Sequence, residues 1–289
     1  MAWTACDNES IIETNDGRVP LQVTSDIQTR AYNNQWEAGD RIGIYAFTEG
    51  TTTVADGYAN IPYTTASDGA NGSFSPDGTT IYLPTDGTER DFVAYYPYTT
   101  GLTDGIYTVD VSDQTSQEDI DLMAAATQTA DRTNPDVAFN FTHMLCKVEV
   151  TLEPGSGMTA TDLEGLTLKL TGQQPQGTFD VKQPTSAVSV TEGTAAELTL
   201  LTNAAGTFAE GIILPAVNYD GMSFVITLAG GTSMLSWPLS NATTSSRFDA
   251  GKKYLYTLRV NKAGIDVTAT ITDWMPGNGA EGEQGDAYL

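Results

Sequence analysis

Apolar and polar residues alternate along much of this chain, in short stretches with a period of two. Ile42, Ile44 and Ala46 share one face of the stretch 41–47. The same pattern returns in the stretches 147–152, 166–170, 224–228, 254–260 and 267–274. Alternation of this kind predicts half-buried β-strands, and the seven Asp-Gly pairs along the chain favour hairpin turns. The pattern therefore predicts an all-β fold, either a sandwich or a barrel.

One short helix interrupts this pattern in the first half of the chain. Ser116 is placed to cap a helix over 117–126, and Asp119 completes a pair that resembles a capping box. Residues 127–135 are predicted as a loop, and a long alternating stretch follows over 137–153. We place a domain boundary within 143–147.

The amino-acid composition argues against several classes of function. The chain of 289 residues has 13 Lys and Arg against 37 Asp and Glu, a formal net charge of −24. This charge disfavours binding to nucleic acid or to anionic lipid, because both need a basic protein surface. One histidine, His143, and two cysteines, Cys6 and Cys146, offer little material for a zinc site or a Ser-His-Asp triad.

No arrangement of residues singles out a reaction. Acids are numerous enough for a two-carboxylate glycosidase, which stays open as an alternative, but no spacing picks out a pair. The acidic stretch 110–121 lacks the ordered spacing of a calcium loop, and its acids suit the start of a helix. We therefore predict a protein that is not an enzyme, and we assign it no catalytic residue, no cofactor and no metal site.

The first six residues end in small side chains before Cys6, and polar residues follow. This order resembles the end of a lipoprotein signal peptide, although the apolar stretch that should precede it is missing. Either the start has been trimmed or this is an ordinary cytosolic N-terminus. We favour the first interpretation, in which Cys6 is lipidated.

Tyrosines are concentrated in the first half. Nine of the 13 fall between Tyr32 and Tyr107, and Tyr95, Tyr96 and Tyr98 surround Pro97. Exposed aromatic rings can stack on sugars, which makes these three residues candidates for ligand binding. Alternation on a half-buried strand would equally place some of them in the core.

The stretch 19–31 is the most informative part of the sequence. Val19, Leu21, Val23 and Ile27 lie on one face of a predicted strand. Pro20 lacks an amide donor, so we predict an edge strand. The strand is followed by Arg30, a rare basic residue in this acidic chain, and by a polar loop.

Several motifs in order along the chain resemble the fimbrillin superfamily of Bacteroidales, the subunits of protease-dependent (type V) pili. They are Thr29-Arg30-Ala31, the stretch 36–45 that begins Trp-Glu-Ala-Gly-Asp, the stretches 121–123 and 141–150, and Ile271-Thr-Asp-Trp274. The resemblance implies two tandem transthyretin-like β-sandwich domains, with one short helix in the first. The implied divisions are an N-terminal segment 1–30, sandwiches over 31–145 and 146–274, and an acidic Gly-rich tail over 275–289.

The resemblance also implies a function. A lipoprotein precursor, acylated on Cys6, is carried to the outer membrane. An arginine-specific or trypsin-like protease then cuts after Arg30, so that Ala31 begins the mature subunit. The released first strand, with Val19, Leu21, Val23 and Ile27, leaves a groove that a strand of a neighbouring fimbrial subunit fills.

The donor strand is less clear, because the sequence after Trp274 has little alternation. Either the stretch 265–274 is itself the donor, or the protein is a tip or accessory adhesin that only accepts a strand. Host or bacterial surface glycans or proteins are further candidate partners. The alternative is a monomeric surface lipoprotein that binds glycans through Tyr95, Tyr96 and Tyr98.

Overall fold

The computed structural model of the chain describes residues 17–27, 35–231, 234–262 and 264–273. Strands dominate this part, which confirms the predicted all-β class. In chain order the strands are β1 (Val19–Pro20), β2 (Gln22–Ile27), β3 (Arg41–Thr48), β4 (Ile61–Thr65), β5 (Asn71–Pro76), β6 (Tyr82–Leu83), β7 (Arg90–Tyr96), β8 (Ile106–Asp110), β9 (Met123–Ala130), β10 (Asp136–His143), β11 (Cys146–Pro154), β12 (Thr167–Gln173), β13 (Gln176–Asp180), β14 (Ser189–Val190), β15 (Ala196–Thr199), β16 (Leu201–Thr202), β17 (Phe208–Ile213), β18 (Ser223–Thr227), β19 (Met234–Pro238), β20 (Lys252–Asn261) and β21 (Gly264–Asp273).

Helical structure is sparse in the described residues. It consists of α1 (Gln117–Ile120) and two 3-10 turns, Ala160–Asp162 and Leu239–Asn241. Over the ranges given above, no helix is both long and apolar enough to cross a membrane.

Seven strands of the first half form a closed barrel, in the order β10–β2–β5–β4–β3–β7–β9. The alternating pattern leaves both a sandwich and a barrel open here, and the resemblance implies a sandwich. The sheet closes on itself, because β2 pairs with β10 on one side and with β5 on the other. The small pair of β1 and β6 forms a separate two-stranded sheet.

Aromatic and branched side chains fill the barrel. Trp36 is fully buried, and its ring meets those of Phe74, Tyr96 and Phe141 edge-on, at centroid distances of 5.0, 5.3 and 5.4 Å. Burying one large apolar side chain contributes about 1.5–3 kcal/mol to folding, and edge-on aromatic pairs add to this. A strand that leaves the barrel therefore exposes a packed core.

The predicted helix over 117–126 is mostly wrong, although one short helix is present. Helix α1 spans only Gln117–Ile120, and the Ser116 side chain makes no capping hydrogen bond. From Met123 the chain continues as β9, which pairs with β7 and β10. Pairing with two neighbouring strands outweighs the helix propensity of the alanines in β9, because such propensity is a weak preference.

The second half forms two further sheets. Their strand orders are β16–β17–β11–β20–β21 and β15–β12–β18–β19. In the larger sheet, β11 pairs antiparallel with β17 and parallel with β20. Buried side chains of both sheets, such as Leu168, Phe224 and Leu258, belong to one hydrophobic core. Among the described strands β21 has β20 as its only partner, so it forms an edge of its sheet.

A third sheet connects the two halves. Strand β8 from the first half pairs with β13 from the second over five antiparallel positions. In addition, Tyr45, Phe47, Val93 and Tyr95 of barrel strands β3 and β7 pack in the core of the second half. The division of the chain into domains over 31–145 and 146–274 stays a prediction.

Candidate functional site

The first long strand, β2, fills a gap between two strands that lie far away in the sequence. It runs parallel to β10, with Gln22 opposite Asp136 and Ile27 opposite Phe141. On its other side it runs antiparallel to β5, with Val23 opposite Phe74. Without β2, the facing edges of β10 and β5 would present unpaired backbone groups, which is the situation that recruits another strand.

The predicted edge position of this strand is therefore wrong. Pro20 does not belong to β2 but to the two-residue strand β1, where it pairs with Tyr82. The chain then changes partners: the Leu21 amide donates to the Ile81 carbonyl oxygen at 2.9 Å, and the Gln22 amide donates to the Pro135 carbonyl oxygen at 2.9 Å. The missing amide of Pro20 thus falls outside the barrel sheet and does not prevent β2 from being central.

The predicted apolar face of the strand lies where expected in its described part. Leu21 and Val23 are 3% and 4% exposed and belong to the barrel core, and Val19 is half-buried against it. The backbone of Ile27 pairs with Phe141, whereas its side chain lies outside the described residues. Leu21 and Val23 therefore occupy apolar places in the barrel core that would become pockets if this segment left.

Ser25 is the exception on the inward face of β2. It is 3% exposed, and its hydroxyl has no hydrogen-bond partner among the described atoms. It lies opposite Gly72 of β5, where an added Cβ would be 2.5 Å from the Phe74 ring and 3.0 Å from both the Ser25 hydroxyl and the Trp36 ring. The Ser25 hydroxyl therefore lies in the space that a side chain at position 72 would need.

The processing and lipidation residues, Arg30, Ala31 and Cys6, lie outside the described residues. Arg18, the arginine that precedes β1, is exposed, and its guanidinium carbon lies 4.6 Å from the centre of the Tyr82 ring. Cleavage after Arg18 would leave both β1 and β2 in place.

The three candidate sugar-binding tyrosines do not form an exposed platform. Tyr95 is fully buried, and its hydroxyl donates to Asn60 Oδ1 at 2.7 Å. Tyr96 is 7% exposed and its hydroxyl donates to Asp40 Oδ1 at 3.1 Å. Tyr98 is half-buried, under the guanidinium of Arg41 at 4.7 Å. The two buried tyrosines stabilise the core, because both faces of β7 are covered.

Burial also changes the acidity of these groups. Loss of solvent raises the pKa of Tyr95 and Tyr96 above the ordinary phenol value, and the nearby Asp40 carboxylate raises the pKa of Tyr96 further. Burial likewise raises the pKa of Asp40 itself, although the hydrogen bond from Tyr96 opposes this. The two phenols therefore stay protonated and serve as buried hydrogen-bond donors, Tyr95 on the side of the second half and Tyr96 on the barrel side of β7.

A buried pair that the sequence did not predict joins two of the quoted motifs. His143 Nδ1 lies 2.7 Å from Asp121 Oδ1, and both side chains are inaccessible to solvent. His143 ends β10 and Asp121 precedes β9, so the pair fixes the end of the strand that borders β2. Within residues 17–27, 35–231, 234–262 and 264–273, no group of three or more His, Cys, Asp and Glu side chains is placed to hold a metal ion.

The last strand resembles the first in sequence. Residues 265–271 read Ile-Asp-Val-Thr-Ala-Thr-Ile, and residues 21–27 read Leu-Gln-Val-Thr-Ser-Asp-Ile. In β21, Ile265 and Val267 are buried, whereas Ala269 and Ile271 are only half-buried at the sheet edge. The two segments share the same order of large and small side chains on their inward faces. The likeness of the two segments is visible in the sequence. It points to a donor strand only once β2 is known to be a central strand of the barrel.

Comparison with known proteins gives a consistent result. Residues 29–274 match the family model described as fimbrillin-like. Over 288 residues the chain is 47% identical to Fim1C of Bacteroides uniformis, provisionally assigned as a fimbrium subunit, with 97% of this chain and 93% of that protein covered.

Solved structures of similar proteins share the fold. A crystal structure of a protein from Bacteroides uniformis, provisionally assigned to cell adhesion, superposes with a TM-score of 0.82 at 45% identity, covering 90% of this chain and 99% of that one. A second such protein, from Bacteroides ovatus, superposes with a TM-score of 0.70 at 22% identity, with the same coverage of 90% and 99%.

Proposed function

The chain belongs to the fimbrillin-like family, and from this premise we propose that it is a fimbrial subunit, or a tip or accessory adhesin, assembled by protease-triggered donor-strand exchange. As a fimbrial protein it takes part in a cell-surface appendage together with other fimbrial subunits. The observation that carries the proposal is the position of β2, a terminal segment placed between β10 and β5 of a closed barrel.

The acceptor half of the proposal rests on how β2 is attached. The segment 28–40 connects it covalently to the next barrel strand, β3, so a cut after Arg30 would leave β2 held in the barrel by non-covalent contacts alone. Departure of β2 would open hydrogen-bonding edges on β10 and β5 together with pockets for Leu21 and Val23. Addition of an extended segment to such a groove gains main-chain hydrogen bonds, and alternate side chains give specificity.

The donor half rests on the match between residues 265–271 and 21–27. With the same chain direction, Ile265 takes the place of Leu21, Val267 that of Val23, and Ile271 that of Ile27. Ala269 then takes the buried place of Ser25 opposite Gly72, and its side chain is no larger than that of serine. We therefore propose β21 of a neighbouring subunit as the donor strand.

At one position the donor fits better than the strand that it replaces. The buried hydroxyl of Ser25 lacks a partner, which costs about 1–3 kcal/mol, and alanine carries no such group. Furthermore, Ile271 is half-buried at the edge of its own sheet and would be enclosed in the groove. Both differences favour the exchanged state over the precursor.

We also propose the remaining features that the sequence implies. These are acylation of Cys6, export of the precursor to the outer membrane, and cleavage after Arg30 to give a subunit that starts at Ala31. The tandem transthyretin-like arrangement belongs to the same proposal. The presence of two buried clusters, one inside the barrel and one in the second half, supports it.

The first experiment is mild trypsin treatment of the full chain, followed by N-terminal sequencing and size-exclusion chromatography. We expect a new N-terminus at Ala31 and, on longer incubation, ladders of oligomers. The variants Arg30→Ala and Arg18→Ala provide the matched pair: the first should block assembly and the second should not. Resistance at Arg30, or unfolding after the cut, would contradict strand release and favour the glycan-binding monomer.

A second experiment tests the donor. Ala269→Leu should abolish ladder formation, because a leucine is much larger than the buried Ser25 side chain whose place it would take, and overpacking a core is destabilising. The monomer should fold normally, since Ala269 is half-exposed in β21. The control is Thr270→Leu, whose side chain points away from the barrel interior in the proposed alignment and should be tolerated. Ladders of normal length with Ala269→Leu would exclude β21 in this register.

A further inference from the structure

A cleft of about 650 Å³ lies where the end of β10 meets the second half of the chain. We call it the junction cleft and define it by the lining residues Ala126, Asn140, Thr142, Met144, Pro184 and Lys252. Asn140 and Thr142 lie on the outward face of β10, whose inward residues are buried in the barrel. The cleft thus lies beside the strand that borders the donor groove, close to its C-terminal end.

The register of β2 fixes where a donor strand would emerge. Ile27 lies opposite Phe141, and the parallel neighbour β10 then continues through Thr142 and His143 to Met144. With Ile271 in the place of Ile27, residues 272, 273 and 274 of the donor would run beside Thr142, His143 and Met144. A donor in this register therefore reaches the junction cleft with its Trp274.

Alternation places the indole on the correct face. Ile271 points into the barrel in this register, so residues 272 and 274 point outward, as Asn140 and Thr142 do. We propose that the junction cleft is the socket for Trp274 of a second copy of this chain. The inference deepens the proposed strand exchange and depends on it.

The chemistry of the cleft suits this side chain. Met144, Pro184 and Ala126 offer apolar contacts, while Asn140 and Thr142 offer oxygens for the indole N–H. Tryptophan combines a large apolar surface with one donor, and such residues are frequent anchors at interfaces. The same alignment sets Trp274 in the place of Arg30, so the segment lost by processing would end where the anchor enters.

A peptide-binding experiment tests the socket. The acceptor is the full chain cut after Arg30, and the probe is a fluorescent peptide of residues 265–275. We expect the Trp274→Ala peptide to bind at least about tenfold more weakly than the wild-type peptide, as for a buried aromatic anchor. A Thr272→Ala peptide should stay within about twofold, as expected for a surface position.

Variants of the acceptor test whether the affinity difference between the two peptides arises at the junction cleft. Thr185 is exposed and lines the cleft, so Thr185→Trp should fill the socket and abolish the difference between the wild-type and Trp274→Ala peptides. Thr79→Trp, an exposed residue in the turn after β5, should leave the difference unchanged.

The outcomes separate the two proposals. If no peptide binds the cut chain, the strand exchange itself is wrong. If the wild-type and Trp274→Ala peptides bind equally well, exchange stands and the socket is refuted.

A third outcome concerns the chain's own Trp274, because β21 also ends beside Lys252, opposite Asp273. The wild-type and Trp274→Ala peptides could differ in affinity only when the acceptor itself carries Trp274→Ala. In that case the acceptor's own Trp274 fills the cleft, and this too refutes the proposal.

Discussion

Replacement of Ser25 by alanine should stabilise the precursor, although it removes a polar group from the middle of the first strand. The hydroxyl is 97% shielded, as the 3% exposure shows, and has no partner among the described atoms. An unsatisfied buried hydroxyl costs about 1–3 kcal/mol, so its removal should raise the free energy of opening the barrel by about this amount. The substitution adds no atom that would approach Gly72 or Trp36.

Hydrogen exchange measured by mass spectrometry over residues 136–143 is the suitable assay, because β10 loses a neighbour whenever β2 detaches. Slower exchange in Ser25→Ala, by roughly tenfold for each 1.4 kcal/mol, is the expected result. Ser73→Ala, an exposed serine on the adjacent strand β5, is the control and should change exchange little. Faster exchange in Ser25→Ala, or a change equal to that of the control, would show that the hydroxyl is satisfied and refute the argument.

Three further predictions concern other buried groups. His143→Ala should lower the free energy of unfolding by about 3–5 kcal/mol in urea titrations, because it leaves the Asp121 carboxylate buried without its partner; a loss below 1 kcal/mol would contradict this role. Burial raises the pKa of the Cys146 thiol, so alkylation of this residue near neutral pH should require unfolding; rapid labelling of the folded chain would be inconsistent with its burial. Burial also raises the pKa of Tyr63 to about 12, so the unfolded chain loses the phenol proton at a lower pH than the folded chain. The free energy of unfolding should therefore fall as pH rises from 10 to 12, and Tyr63→Phe should make that fall less steep.

The alternating pattern predicted the all-β class and several of the longer strands, such as β3, β11 and β20, because side chains alternate along any strand that covers a core. It could not predict which strands are neighbours. The Thr24 hydroxyl donates to the carbonyl oxygen of Val137 on β10, 113 residues away, and no local pattern reveals a neighbour at that separation. The missing amide of Pro20 was a real signal, but it applied to a separate two-residue strand.

The sequence could not decide between exposed and buried tyrosines, for a related reason. Tyr95 faces the core of the second half and Tyr96 faces the barrel interior, so both faces of β7 are buried. An alternating pattern is usually interpreted as a strand with one face in the core and the other in water. That interpretation fails where a second layer of the protein covers the outer face as well. The pairing of His143 with Asp121 was likewise invisible, since no local pattern relates a residue at the end of β10 to one before β9.

The long separation between β2 and β10 has a consequence for folding kinetics. Neighbouring barrel pairs such as β3–β4, β4–β5 and β9–β10 are joined by short connections, whereas β2 meets β10 only after a much longer loop has closed. Loop-closure entropy grows with loop length, and contacts of high contact order form late. The terminal strand is therefore expected to be the last to dock, so a newly folding chain passes through the same vacancy that processing would later reopen. Folding of the precursor and assembly of the fibre would then share their final step, one within a molecule and one between molecules.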